Sequence, residues 1–398
     1  MRGFWLSGIA LWLASCIVNA RPESDPLPPD ASSAGFDAEA ASASSDTTTP
    51  AADAFLPPGP TPTDPRDRLN FFVSGHSLTD DPFAELIVGT ARGLGLAAEY
   101  NQQIVIGSPI RVRTRGLSAS GWSGYRTGKN RAGSEGLDVV AELHAPRTVS
   151  GPYHALILTE RHDLPTVLVW EDTVRHVRHY HDRLAHGNPT GETYLYQAWL
   201  EIRNMDDPTG WIAYERAAEP IWQCVASRVQ TSLEASGQRS SIHAIPAGSF
   251  LAELVERAVA GRVPSLAGST PRATLRQLFT DDVHLTRTGT YFVALVTFGH
   301  VYRRSPVGAP APSGVDATLA RALQEIAWEL TTRSLASARP ELSRCRALMR
   351  DSFCETYGRY RGETGGISSC RDAFRDSNRT GPFYFDASSD ASYWFAAP

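Results

Sequence analysis

Ser77 stands in the tetrad Gly75-His76-Ser77-Leu78, directly after the apolar run Phe71-Phe72-Val73. A hydroxyl placed there sits where a strand gives way to a turn, close to the positive end of whatever helix follows. Serine is a weak nucleophile near neutral pH until a base takes its proton, and that base is usually a histidine oriented by a carboxylate. The stretch LFTDDVHLTRTGTYF supplies such a pair. Asp281 and His284 are separated by two residues, just ahead of a helix that Thr286 can cap. In a loop turn this spacing lets the carboxylate reach Nδ1 of His284 and leaves Nε2 to face Ser77. The expected roles are Ser77 as nucleophile, His284 as general base and Asp281 as the group that orients it. Asp282 reads as an exposed loop residue.

Residues so far apart in the chain need a scaffold to bring them together. From residue 68 onward, strand and helix signals alternate. Short apolar runs at 69–73, 102–106, 154–159, 192–198 and 241–245 read as strands covered on both faces. Between them lie a helix from Asp81-Pro82 to Gly93, a long one following Pro165 to about Leu184, one over 211–235 and one over 249–260. A Gly-, Ser- and Arg-rich loop covers 113–136, and a last helix runs from Thr288 to Tyr302. Alternation with five strands predicts an α/β fold, a parallel sheet between layers of helices, with ligands at the strands' carboxyl ends. An apolar stripe of Leu319, Leu323, Ile326, Ala327 and Leu330 marks a further helix over 316–334, packed on the same domain.

The two motifs together resemble those of the SGNH/GDSL hydrolases. Gly75-His76-Ser77-Leu78 is similar to their GDSL block, with His76 where aspartate is usual, and Asp281-Asp282-Val283-His284 to their Asp-x-x-His block. The resemblance covers about 70–303. It implies a flavodoxin-like three-layer α/β/α fold with a five-stranded parallel sheet, a serine nucleophile, ester hydrolysis and no cofactor or metal. It also implies an oxyanion hole built from the backbone N–H of Ser77, a glycine after the second strand, which Gly107 matches, and an asparagine after the third. The third element departs from the family: Thr159-Glu160-Arg161-His162-Asp163 stands in place of Gly-x-Asn-Asp. His76, Glu160 and Arg161 are therefore carried as candidate substrate or oxyanion contacts.

Other side chains receive plainer readings. His176, His179, His181 and His186 are interleaved with Arg175, Arg178 and Arg183, which predicts a solvated basic helix face rather than a metal site. Tyr194 and Tyr196 share one face of a strand and read as core, with a sugar-stacking role for them and Trp199 as the alternative. Trp122 and Tyr125 in the Gly-rich loop are candidates for substrate contact.

The chain has 398 residues, 42% hydrophobic and 20% charged, with a net charge of -5, which gives no sign of a nucleic-acid partner. Met1-Arg2 followed by the apolar run Phe4–Leu13 reads as a signal peptide over 1–20. Leu13-Ala14-Ser15-Cys16 resembles a lipobox that would lipidate Cys16 and attach the chain to a membrane, whereas Val18-Asn19-Ala20 resembles an ordinary cleavage site. Residues 21–66, rich in Pro, Ala, Ser, Thr and Asp, read as a disordered linker. Cys224, Cys345, Cys354 and Cys370 form an even set in an exported chain, and no CxxC spacing is present. If all four pair, Cys224 must join a cysteine of the tail. The domain is expected over 67–335 and an irregular, cysteine-containing tail over 336–398. The expected function is exported ester hydrolysis, at the cell surface, in the periplasm or after secretion, removing acetyl or other short acyl groups from a carbohydrate such as an acylated polysaccharide. The alternatives are an inactive surface binding lipoprotein on the same fold and a lipase- or acyltransferase-type enzyme. The oligomeric state is not legible.

Overall fold

Five strands build one sheet: β1 (Arg68–Gly75), β2 (Ala97–Ile104), β3 (Ala155–Thr159), β4 (Glu192–Tyr196) and β5 (Ser241–Ile245). They lie in the order β2-β1-β3-β4-β5, parallel throughout. This is the flavodoxin-like order, in which the chain reverses direction between β1 and β3. The structure, a computed structural model, describes residues 66–118 and 121–396. The expected signal peptide with Cys16, and the expected linker up to residue 65, lie outside the described residues.

Alternation along the strands sends side chains to two helical layers. Phe72, Ser74, Gln103 and Thr193 face one layer. There Tyr180 donates to Gln103 Oε1 at 2.7 Å, and His181 Nδ1 lies 2.8 Å from Thr193 Oγ1. Tyr194 and Tyr196 face the other. Tyr196 meets Phe83 edge-on, with ring centroids 5.4 Å apart, so core packing accounts for both tyrosines.

The first layer holds α3 (Val139–His144), α5 (Thr173–Gly187) and α6 (Thr209–Ala235); the second is built on α1 (Phe83–Gly93), α9 (Arg287–Tyr302) and α10 (Ala317–Leu335), with α7 (Ala247–Val259) against α9. The short helices α2 (Ile110–Thr114), α4 (Leu164–Trp170) and α8 (Pro271–Leu275) lie in connections. Among the described residues no helix is long and apolar enough to cross a membrane.

Three elements differ from expectation. β2 begins at Ala97, not 102, and ends before Val105. It is an edge strand whose polar side chains blur the apolar pattern: Glu99 accepts from Ser150 N at 2.9 Å and Asn101 donates to Thr148 at 2.9 Å. The long helix after Pro165 is two helices, α4 and α5, broken where Asp172 takes a left-handed φ of 49°.

The tail is not irregular. It folds into α11 (Leu342–Leu348), a π-helical turn at Met349–Phe353, α12 (Cys354–Arg361) and α13 (Ile367–Ala373). Cys224 of α6 is bonded to Cys345 of α11, and Cys354 to Cys370. The two bonds tie α11 to α6 and α12 to α13. Tyr360 stacks on Tyr214 of α6, with ring centroids 4.8 Å apart. Farther along, Tyr393, Trp394 and Phe395 lie under the guanidinium groups of Arg228, Arg178 and Arg175 at 4.9, 5.2 and 3.8 Å.

Candidate active site

β1 ends at Gly75, and Ser77 opens a single 3₁₀ turn, Ser77–Thr79, at the carboxyl end of β1 beside β3. That is the switch point, where open α/β sheets place their ligands. Gly75 is required by crowding. A Cβ there would lie 1.9 Å from Thr79 Oγ1 and 3.3 Å from Thr159 Oγ1.

His76 holds the turn from inside. It is 3% exposed; Leu78 N–H donates to its Nδ1 at 3.4 Å, and its Nε2 donates to the carbonyl of Glu160 at 3.2 Å. Burial, reinforced by the nearby Arg113 charge, lowers its pKa to about 3, so the ring is neutral at pH 7. Both ring nitrogens are engaged, and His76 is thereby a strut between the β1 and β3 ends rather than a substrate contact.

Facing Ser77, His284 Nε2 lies 3.2 Å from Ser77 Oγ, and His284 Nδ1 lies 2.7 Å from Asp281 Oδ2. The other carboxylate oxygen of Asp281 accepts the backbone N–H groups of Val283 at 2.8 Å and His284 at 2.6 Å. Burial pushes the Asp281 carboxyl up, but these N–H donors and the imidazole outweigh it and hold the carboxyl below its usual range. An antiparallel bridge between Phe279 and Leu285 closes the base of this loop, and Thr286 caps α9 by accepting from Gly289 N at 3.3 Å. The segment after β4 fixes the loop's outer side: Trp199 Nε1 donates to Val283 O at 2.8 Å and Ile202 N to Asp282 O at 2.7 Å.

The hydroxyl, imidazole and carboxylate thus form a continuous hydrogen-bonded relay at the surface, with the His284 side chain 45% and the Asp281 side chain 51% exposed.

Among the described residues, no acceptor takes the backbone N–H of Ser77 or of Gly107. Gly107 occupies the turn after β2, where Ser108 N bonds Val105 O at 3.2 Å and φ at Gly107 is +67°, a conformation that suits glycine. The register that sets Gly75 opposite Ile104 brings this turn alongside the Ser77 turn.

Glu160 and Arg161 do not serve as free contacts. Glu160 is fully buried. Its carboxylate accepts from Ile110 N at 3.0 Å, Arg161 N at 2.8 Å and Thr173 Oγ1 at 2.7 Å. Arg161 forks onto Asp163, its Nε 2.9 Å from Oδ1. The residue that sequence reasoning missed is Arg113 of α2, which is also fully buried. It donates to Ser74 Oγ at 3.0 Å, to Ser108 O at 2.7 Å and to the carbonyl of Thr159. It thereby ties the ends of β1, β2 and β3 together beneath Ser77. Burial raises the Glu160 carboxyl and lowers Arg113 to about 10, and their mutual attraction opposes both shifts. The signal in the sequence was an arginine at a position that the helix buries, which local pattern alone does not reveal.

The basic face expected on α5 is covered. His176, His179 and His181 are at most 2% exposed, and Arg178 and Arg183 are also buried. His176 bonds Thr114 at 2.8 Å, His179 bonds the Tyr125 hydroxyl at 2.8 Å, and His181 bonds Thr193 and Ser240 at 2.8 and 2.9 Å. Trp122 stacks on His179 at 3.6 Å, and Tyr125 is 2% exposed. Both aromatics are therefore packing residues, not substrate contacts, and so is Trp199, which is fully buried. Among the described residues, no group of three or more His, Cys, Asp or Glu is placed to hold a metal ion.

No family model matches the chain, and no curated protein does. Among solved structures it is similar to a DUF4886 family protein from Bacteroides uniformis ATCC 8492, at 13% identity over 69% of this chain and 98% of that one, with a TM-score of 0.45. A likeness that weak carries no argument about function.

Proposed function

We propose that the chain is an exported serine ester hydrolase. The observation that carries this reading is the relay from Asp281 through His284 to Ser77 Oγ, with Nε2 3.2 Å from the hydroxyl. Ser77 Oγ attacks the ester carbonyl carbon and its proton passes to His284 Nε2. The negative charge that develops on the carbonyl oxygen is met by the N–H groups of Ser77 and Gly107. As the intermediate collapses, the bond to the alcohol breaks and His284 protonates the departing oxygen. Water then attacks the acyl-enzyme, gives its proton to His284, and the acid leaves as Ser77 regains its hydrogen. Asp281 keeps the imidazole in the tautomer that these transfers need. No cofactor enters this scheme.

The openness of the site supports a substrate class. A relay whose imidazole is 45% exposed suits an acyl group carried on the surface of a polymer. Ile106, 64% exposed, and Trp170, 77% exposed, sit in the segments after β2 and β3 and offer apolar faces to solvent. Removal of acetyl or other short acyl groups from a polysaccharide fits this setting. The lack of the family's asparagine supports a second reading, a surface binding protein with no activity.

Labelling by a fluorophosphonate, together with hydrolysis of p-nitrophenyl acetate and octanoate, separates these readings. The wild type is expected to label and to prefer acetate, and Ser77→Ala to do neither. A wild type that neither labels nor hydrolyses would leave the binding protein as the better account. Preference for octanoate, or for a sugar acceptor over water, would point to a lipase or an acyltransferase.

A further inference from the structure

We propose that Tyr360, in the disulfide-closed tail, is a positioning residue for the relay and acts through two peptide groups on Asp281, a role that rests on the ester hydrolysis argued above. Tyr360 lies beyond residues 70–303, the stretch that resembles the SGNH/GDSL hydrolases. Its hydroxyl donates to the carbonyl of Glu201 at 2.6 Å. The N–H of that same peptide group, Ile202 N, donates to the carbonyl of Asp282 at 2.7 Å. The N–H of the peptide group that Asp282 begins, Val283 N, donates in turn to Asp281 Oδ1 at 2.8 Å. Asp281 Oδ2 meets His284 Nδ1, and His284 Nε2 meets Ser77 Oγ. From Tyr360 to Asp281 every donor points the same way, from the tail towards the carboxylate.

A peptide group is planar, so a bond at its carbonyl helps to fix the direction of its N–H. Hydrogen bonds in series also polarise one another, and a group loaded at its oxygen donates more strongly at its nitrogen. Glu201–Ile202 and Asp282–Val283 are two such groups in series. Tyr360 thus bears on both the aim and the strength of an N–H that holds Asp281. Ile202, in the middle of the series, is 2% exposed. The tail holds the hydroxyl in place. Arg361 pairs with the Glu201 carboxylate at 2.5 Å, and Arg203 donates to the carbonyl of Tyr360, so the two contacts bracket the Glu201–Ile202 peptide. The Tyr360 ring stacks on Tyr214 of α6, and Cys354–Cys370 closes α12 onto α13. Asp281 and His284 stand close to half exposed on a loop, where a fixed backbone is what keeps their side chains aimed.

The test is a double-mutant cycle of Tyr360→Phe and Asp281→Ala. It is read by steady-state hydrolysis of p-nitrophenyl acetate and by the rate of fluorophosphonate labelling, with Ser77→Ala as the blank and thermal unfolding as control. Tyr360→Phe keeps the stacked ring and removes only the donor. Expected is a fall in kcat of about 3–10-fold with KM unchanged, and a matching slowing of labelling. In the Asp281→Ala background the same change is expected to cost less than about twofold, because the series no longer ends on a carboxylate. Equal falls in both backgrounds overturn the proposal, since a role in packing alone would be additive. Unchanged kcat in Tyr360→Phe, or a change confined to KM, overturns it too and leaves the hydrolase reading intact. If Tyr360→Phe lowers the midpoint, the cycle is read below the lowest midpoint and decides in the same way. Should that variant fail to fold, Arg361→Met, which loosens the same bracket on Glu201, takes its place in the cycle with the same outcomes. A wild type with no activity that depends on Ser77 overturns the hydrolase reading and this role with it.

Discussion

At Gly75 the nucleophile turn has no room for even a methyl group, because Thr79 and Thr159 close in from two sides. The residue beside it, His76, is neutral and internally bonded, so the turn is held by packing and by two hydrogen bonds instead of by an aspartate. Asp281 has the opposite character: it is ionised, open to solvent and bound to two backbone N–H groups. Asp281→Asn keeps the shape of the loop but presents the imidazole with the wrong partner for its Nδ1 proton. A loss of kcat of about 10³–10⁴-fold is expected, read by p-nitrophenyl acetate hydrolysis with the midpoint of unfolding as control. A loss under tenfold would mean that Asp281 does not orient the base. Because the folded state holds this carboxyl below its usual pKa of about 3.9, its contribution persists above that pH and is lost only as the pH falls below it.

Among elements, the junction of β3, α2 and α5 decides whether the site has a floor. Glu160 bonds the first N–H of α2 and the first residue of α5, while Arg113 reaches the ends of three strands. The two charges share one dry region, and removing either strands the other there. Glu160→Ala is expected to cost about 3–5 kcal/mol of stability in urea unfolding, and Glu160→Gln less, since its amide still accepts. A cost for Glu160→Ala below about 1 kcal/mol would mean that Arg113 finds other company. The tail shows a similar division of labour. Cys224–Cys345 fixes α11 on α6, Cys354–Cys370 closes the α12–α13 pair, and Arg228 meets Asp390 at 2.6 Å where both are buried.

For the whole molecule, buried histidines set the response to acid. His76, His176, His179 and His181 are each lowered by burial to about 3, and His300 to about 4. In the unfolded chain a histidine takes up its proton near pH 6.5. Below that pH the unfolded state binds more protons than the folded one, so stability falls. The neutral rings contribute fully above about pH 6.5 and lose that contribution progressively as the pH drops toward their folded values. Each such group changes stability by up to about 1.4 kcal/mol per pH unit in that window. The midpoint of thermal unfolding should therefore fall steeply between about pH 6.5 and 4.5, before ordinary carboxylates titrate. A flat profile over that interval would show that these rings reach solvent.

Legible in the residues alone are the α/β class, the strand count, the helix that Thr286 caps, the joining of Cys224 to the tail if all four cysteines pair, and Ser77, His284 and Asp281 as the side chains that the fold brings together. These are local matters: apolar runs of strand length, a capping threonine, a carboxylate three positions before an imidazole, and an odd cysteine outside a cluster. Folding adds what no local pattern contains. His176 and Arg178 look like a solvated face until Phe395 and Trp394 arrive from the far end of the chain to cover it. Glu160 and Arg161 look free until Ile110, Thr173 and Asp163 are found on them. Arg113 shows no sign of burial in its own segment. Burial and hydrogen-bond satisfaction depend on partners brought together by folding, and a side chain's sequence neighbours do not say which partner will reach it.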